Sequence, residues 1–153
     1  MKNSTLAGIA FALAAAIFGV IAFKLIPLLR PSADLTLPAK RCNPSLERCA
    51  ATLPDGGQIV LSIRPSPIRP LQTLHLDVEV SHLQTEKIEI DFDGTQMRMG
   101  YNRPQLTGAN GHFRGTTILP VCVTGAMEWV ATVLITTRDK RIAAPFIFDV
   151  APR

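Results

Sequence analysis

The chain has 153 residues and a formal net charge of +4, and its length fits one ordinary domain with a short appendage. The surplus charge lies before Cys42, where five Lys and Arg face one Asp, whereas eleven basic and eleven acidic residues follow. No basic patch with interleaved aromatic residues remains to track a phosphate backbone, so the sequence excludes nucleic acid as a partner.

An uncharged apolar run, TLAGIAFALAAAIFGVIAF, extends from Thr5 to Phe23. As a helix it is roughly 28 Å long, close to the hydrocarbon thickness of a bilayer. A cleaved signal peptide is the alternative, but its apolar region is shorter and ends at a small-x-small cleavage site. Because this run is long and ends in bulky residues, we predict a retained membrane anchor over 1–23, followed by a Pro- and Leu-rich tether over 24–41.

Two signals for the orientation of this anchor disagree. The count of Lys and Arg on the two sides of the apolar run favours a cytoplasmic C-terminal side, although a large domain translocates largely regardless of charge. Cys42 and Cys49 enclose a short loop, CNPSLERC, and a pair at that spacing is typical of an oxidising compartment. The cysteines therefore favour a periplasmic domain over 42–153.

The same pair predicts a disulfide between Cys42 and Cys49, which in the loop-entropy treatment stabilises the fold by roughly 2.5 kcal/mol. A metal-binding or redox pair is the alternative, but the Cys-x-x-Cys spacing of oxidoreductases is missing. The third cysteine, Cys122, is either a small buried apolar residue or a soft metal ligand near Met127.

Beyond the tether the dominant period is two, the period of a β-strand. Turn signals such as Asp55-Gly56-Gly57, Asp93-Gly94, Asn110-Gly111 and Thr124-Gly125 separate the alternating runs. The sequence therefore predicts an all-β domain, an immunoglobulin-like β-sandwich of about seven strands, with no amphipathic helix after the anchor. The runs are QIVLSI, LHLDVEV, KIEIDFD, HFRGTTIL, EWVATVLIT and PFIFDV.

The stretch QMRMGYN places Met97 and Met99 two residues apart. In a strand, such residues point to the same face at about 6.5–7 Å, so two thioether side chains could converge on one ion. Thioethers are soft ligands that select Cu(I). The alternative is that both methionines fill the core while Gln96 and Arg98 face water.

The three histidines are dispersed and are weaker candidates for such a site. His75 falls on the polar face of its strand, and His82 follows that strand in an accessible position. His112 follows Asn110-Gly111 at a predicted hairpin tip, and imidazole is a competent copper ligand.

The outward carboxylates of the predicted strands indicate a solvated sheet face matched by Arg98 and Arg114. They are Asp77, Glu79, Glu89, Asp91 and Asp93. The sequence contains no nucleophile elbow, P-loop or dinucleotide fingerprint, and we predict that the protein is not an enzyme.

The order of four segments, RPSPIRPLQTLHLDVEV, QMRMGY, NGHFRG and LPVCVTGAMEW, resembles the FixH/YtkA family of membrane-anchored extracytoplasmic β-sandwich proteins. The resemblance implies an inner-membrane protein with a periplasmic domain that supports copper handling or assembly of a respiratory haem–copper oxidase. Its partner would be such an oxidase or a copper transporter. A metal-free module that binds another membrane protein is the alternative. The candidate Cu(I) ligands are Met97, Met99, His112, Cys122 and Met127.

If Thr5–Phe23 is a retained anchor, we expect the mature protein to stay in the membrane fraction after a carbonate wash and to keep its N-terminal residues. The apolar run is the reason, since its transfer to water is unfavourable. N-terminal sequencing of the washed membranes measures this. A soluble product that begins after about residue 22 would contradict the prediction.

Overall fold

The structure, a computed structural model, describes residues 13, 15–20, 33–120 and 127–150. The chain divides into two compact units, 1–32 and 33–153. Leu13 and residues 15–20 are helical, and the rest of the predicted anchor lies outside the described residues. Among the described residues there is no helix with the length and apolar character needed to cross a membrane.

The second unit confirms the prediction of an all-β fold, and the described residues form ten strands in one curled sheet. The strands are β1 Leu35–Thr36, β2 Lys40–Arg41, β3 Cys49–Thr52, β4 Gln58–Arg64, β5 Thr73–Val80, β6 Lys87–Gly94, β7 Gln105–Ala109, β8 His112–Ile118, β9 Met127–Thr136 and β10 Arg141–Val150.

The strand order is β1-β10-β9-β6-β7-β8-β5-β4-β3, and β2 also pairs with β10. The short strands β1 and β2 run parallel to β10, whereas the other pairs are antiparallel. Strand β7 connects the two halves of the sheet, because Leu106 pairs with Ile88 of β6 while Gly108 pairs with Phe113 of β8.

Alternating side chains from both halves fill one hydrophobic core. In β5 the residues Leu74, Leu76 and Val78 are fully buried, and in β6 the same holds for Ile88 and Ile90. Each fully buried aliphatic or aromatic side chain stabilises the fold by about 1.5–3 kcal/mol relative to exposure. The largest fully buried side chains are Trp129, Phe92, Phe146 and Phe148.

The sheet begins earlier in the chain than the sequence predicts. Leu35 pairs with Ile142, and Lys40 pairs with Phe146, so the segment from 33 to 41 lies along the edge of β10 and belongs to the second unit. Its strands are only two residues long and have no alternation of their own. Their pairing depends on a strand about a hundred positions later, which a local pattern does not reveal.

The predicted turn at Asn110-Gly111 is present as the β7–β8 hairpin, with φ of 53° and 80° at its two central residues. Positive φ at both positions is the type I′ geometry that suits antiparallel strands. A Cβ on Gly111 would lie 2.4 Å from the carbonyl oxygen of Val80, so this position requires glycine. By contrast, Asp93-Gly94 forms the end of β6 and not a turn.

A disulfide joins Cys42 and Cys49, as predicted, with a Cα–Cα distance of 5.8 Å. Cys42 follows β2 and donates its N–H to the carbonyl of Ile147 in β10 at 2.9 Å. Cys49 opens β3 and pairs with Leu61 of β4. The bridge therefore connects the two free edges of the curled sheet, one from each half.

Replacing both Cys42 and Cys49 with serine should lower the free energy of unfolding by roughly 2.5 kcal/mol, because the unfolded chain regains the entropy of the open loop. Urea denaturation of both proteins under oxidising conditions measures the difference. Wild-type protein in a reducing agent is the matched control and should approach the variant.

Thiol labelling of the unfolded, unreduced protein should then detect a single free thiol, that of Cys122, which lies outside the described residues. Three free thiols would contradict the bridge.

Candidate functional site

Met97 and Met99 lie in a loop, residues 95–104, which connects β6 to β7 and is here called the methionine loop. The prediction that they share one face of a strand is wrong, because β6 ends at Gly94. Met97 is 44% exposed, whereas Met99 is partly buried and packs against the hydrophobic core. One thioether is thus accessible to a ligand, and the other lies between the surface and the core.

Hydrogen bonds from both sides hold this loop in place. The Asp93 carboxylate accepts the backbone N–H of Met99 at 2.8 Å and that of Gly94 at 3.0 Å. The N–H of Thr95 is donated to the carbonyl of Glu128 at 3.1 Å. Asp93 therefore ties the loop back to the end of β6, and the start of β9 supports the first residue of the loop.

Met127, the first residue of β9, is buried beneath this turn. A Cβ on Gly94 would lie 1.7 Å from Met127 Cε, 3.4 Å from Met127 Sδ and 2.6 Å from the carbonyl oxygen of Met97. The side chain of Met127 and the backbone of Met97 therefore both lie against Gly94. The structure brings Met97, Met99 and Met127 to one end of the sheet, here called the methionine end.

The structure does not place the other two candidate ligands, Cys122 and His112, beside these methionines. Cys122 lies within 121–126, outside the described residues. His112 begins β8, whereas the side-chain amide of Asn102 in the methionine loop donates to the carbonyl of Ile118, where β8 ends, at 3.0 Å. Six steps at about 3.3 Å place His112 about 20 Å from that contact, at the opposite end of the strand.

In the part of the chain that the structure describes, there is no group of three or more His, Cys, Asp or Glu side chains that could hold a metal ion. The candidate ligands that the structure describes at the methionine end are thioethers, which bind Cu(I) in preference to Mg²⁺ or Zn²⁺.

Ion pairs flank the methionine loop. The Arg41 guanidinium lies 2.6 Å from the Glu128 carboxylate, and the Thr95 hydroxyl and then Arg41 lower the pKa of that carboxyl below its usual range. Arg103 donates to Asp91 at 2.7 Å, and this hydrogen bond raises the pKa of the guanidinium. Arg103 also lies 5.6 Å from the centroid of the Tyr101 ring, a cation–π contact.

The outward carboxylates are paired, as expected for a solvated face. Asp77 lies 2.9 Å from Arg114, and Asp93 lies 3.7 Å from Arg98, which are the two arginines that the sequence suggests. Glu89 is more buried than the alternation predicts, at 9% exposure, and contacts Lys87 at 3.0 Å and Arg141 at 3.5 Å. Pairing offsets the cost of its burial.

Sequence reasoning missed an apolar surface at the methionine end. Leu71 is 54% exposed, Tyr101 75% and Ile118 50%. Leu71 donates its N–H to Leu119 at 2.9 Å, and Asn102, next to Tyr101, contacts Ile118, so these side chains belong to the same end. One signal was available, because Ile118 falls on the outward phase of β8, where the alternation calls for a polar residue.

Compared with models of known protein families and with curated proteins, the sequence matches none. The resemblance to the FixH/YtkA family therefore depends on the segments quoted above.

Replacing Gly94 with alanine tests the packing of the methionine end. We expect a loss of about 1–3 kcal/mol in the free energy of unfolding, because the new Cβ would overlap Met127 Cε and the Met97 carbonyl. Urea denaturation measures this loss.

Adding Met127→Ala gives a double-mutant cycle for the same contact. In that background, Gly94→Ala should cost less, since only the overlap with the Met97 carbonyl remains. Strictly additive losses would contradict the contact between Gly94 and Met127.

Proposed function

We propose that this protein is a membrane-anchored periplasmic domain that binds Cu(I) at its methionine end and supports copper handling or assembly of a respiratory haem–copper oxidase. The observation that carries the proposal is the meeting of Met127 and the methionine loop over Gly94. A third thioether, from a distant strand, thereby lies at the same end of the sheet as Met97 and Met99, which are close in sequence.

The chemistry of this end suits a soft ion. Thioethers bind Cu(I) and, unlike thiols, do not form disulfides in an oxidising compartment. The exposure of Met97 would admit the ion, while Met99 and Met127 would bind it from the side of the core. Cys122 stays a candidate ligand because its segment leads directly into Met127, whereas His112 leaves the proposed set because it opens β8 at the other end.

The disulfide and the N-terminal apolar run support the proposed location. Both cysteines are buried, with Cys42 at 8% exposure and Cys49 at 1%, which suits a structural bridge formed in an oxidising compartment. With Thr5–Phe23 as a retained single-pass anchor, the protein would reside in the inner membrane with its β domain in the periplasm. We assign that domain an immunoglobulin-like β-sandwich fold, and we propose no enzymatic activity for it.

A metal-free interaction module is the second candidate, and the apolar surface at the methionine end favours it. Monomeric soluble proteins rarely expose large contiguous apolar patches, and such patches mark sites of contact with another protein or a membrane. Leu71, Tyr101 and Ile118 would then contact a partner in the same membrane, such as an oxidase subunit or a copper transporter. Under this alternative Met97 is one more contact residue and not a ligand.

Replacing Met97 and Met99 with isoleucine separates the two candidates. Isoleucine keeps an apolar side chain of similar volume but has no sulfur, so Cu(I) affinity should fall sharply while stability changes by less than about 1–2 kcal/mol. Anaerobic titration of the full-length protein in detergent against a competing Cu(I) chelator measures the affinity.

Leu71→Ala is the matched control, since it alters the same end without removing sulfur, and it should leave Cu(I) affinity unchanged. Wild-type protein that binds Cu(I) no more tightly than the isoleucine variant would end the copper proposal and leave the interaction module.

A further inference from the structure

A groove of about 580 Å³ lies on the outer face of β4, β5 and β8, away from the core. Cross-strand pairing places Arg64, His75 and Thr116 in one row across these three strands. All three residues are exposed, and directly paired residues project from the same side of a sheet. The row therefore presents a guanidinium, an imidazole and a hydroxyl side by side.

The next row on the same face consists of Ser62, Asp77 and Arg114. The two rows are separated by two residues along each strand, about 6.5–7 Å. The second row therefore adds a hydroxyl beside Arg64 and a carboxylate that Arg114 neutralises at 2.9 Å.

The disulfide loop gives the groove a wall along the edge of β4. The carbonyl of Pro44 accepts the N–H of Ile63 at 2.8 Å, which holds the loop against that edge. Arg48 then reaches across β4 to form an ion pair with Glu79 of β5. A second depression of about 830 Å³, between residues 44–48 and the end of β4, shares Arg64 and His75 with the groove.

The charges in this groove do not cancel. Three arginines face two carboxylates, and each carboxylate is already paired, Asp77 with Arg114 and Glu79 with Arg48. Among the residues that the structure describes, Arg64 has no ion-pair partner. The groove therefore keeps one positive charge at Arg64, next to His75.

We infer that this groove binds a phosphate monoester, with Arg64 as its principal anchor. A guanidinium forms bidentate charge-assisted hydrogen bonds with phosphate oxygens. His75, Thr116 and Ser62 supply further donors around the same position, and a phosphate has more acceptor sites for them than a single carboxylate. The volume of the groove leaves room for the organic part of the ligand.

The second row favours a single phosphate over a polyphosphate or a nucleic-acid backbone. Asp77 lies one row from Arg64 and is paired with Arg114, so this second row offers no net positive charge to a second phosphate. The phosphate could belong to a soluble metabolite or to a lipid headgroup, because both present the same oxygens to Arg64.

Isothermal titration of the full-length protein in a zwitterionic detergent and a phosphate-free buffer tests the inference. The soluble probe is glycerol 3-phosphate, and the lipid probe is phosphatidic acid in phosphatidylcholine nanodiscs, with pure phosphatidylcholine as the blank. Binding of the soluble probe alone identifies a soluble ligand, and stronger binding of phosphatidic acid identifies a lipid headgroup. Both outcomes support the site.

Arg64→Gln should weaken binding of the probe at least tenfold, and Thr116→Val should weaken it by a smaller factor. Arg69→Gln is the matched control, since it removes the same formal charge at an exposed position outside the groove and should leave binding unchanged. Equal weakening by the two arginine variants would show attraction to net charge alone and would overturn the inference. Wild-type protein that binds neither probe would overturn it as well.

Discussion

The bond between Cys42 and Cys49 joins the two outermost edges of the curled sheet, and the loop that it encloses borders the outer groove. At the opposite side the halves are continuous through β7. A second contact spans the closed edges, where Lys40 Nζ donates to the Ala50 carbonyl at 2.9 Å. The loop enclosed by the disulfide covers the edge of β4, which limits edge-to-edge association and gives the outer groove its wall.

Alternation was sufficient to predict the long strands, because each packs one face against the core and the other against water. It failed for β7, in which only Leu106 is buried among five residues. It also failed for β1 and β2, since two-residue strands have no period and depend on pairing with β10. Pairing between distant segments depends on tertiary packing, which a local window does not contain.

Because β7 was not predicted, the sequence could not show that His112 and the methionine loop lie apart. The chain runs along β7 from the methionine loop to the Asn110-Gly111 turn. The loop and the turn therefore lie at opposite ends of this strand. Without β7, the sequence places no constraint on the distance between His112 and the methionines. The contact of Met127 with Gly94 was beyond sequence reasoning, because it follows from the register of β6 against β9, where Gly94 pairs with Trp129.

The groove and the methionine end differ in how many side chains a ligand would have to immobilise on binding. The groove is built from paired strands, so the backbone positions of its donors are set before any ligand arrives, and the remaining cost is that of fixing their exposed side chains. At the methionine end, Asp93 holds only the backbone N–H of Met99, and Met127 is buried, whereas Met97 is exposed. A ligand there would have to order the side chain of Met97, and the burial of Met127 would reduce the entropic cost of binding. If the proposed Cu(I) site exists, the same exposure of Met97 would suit release, because an ion leaves through the accessible side of its site.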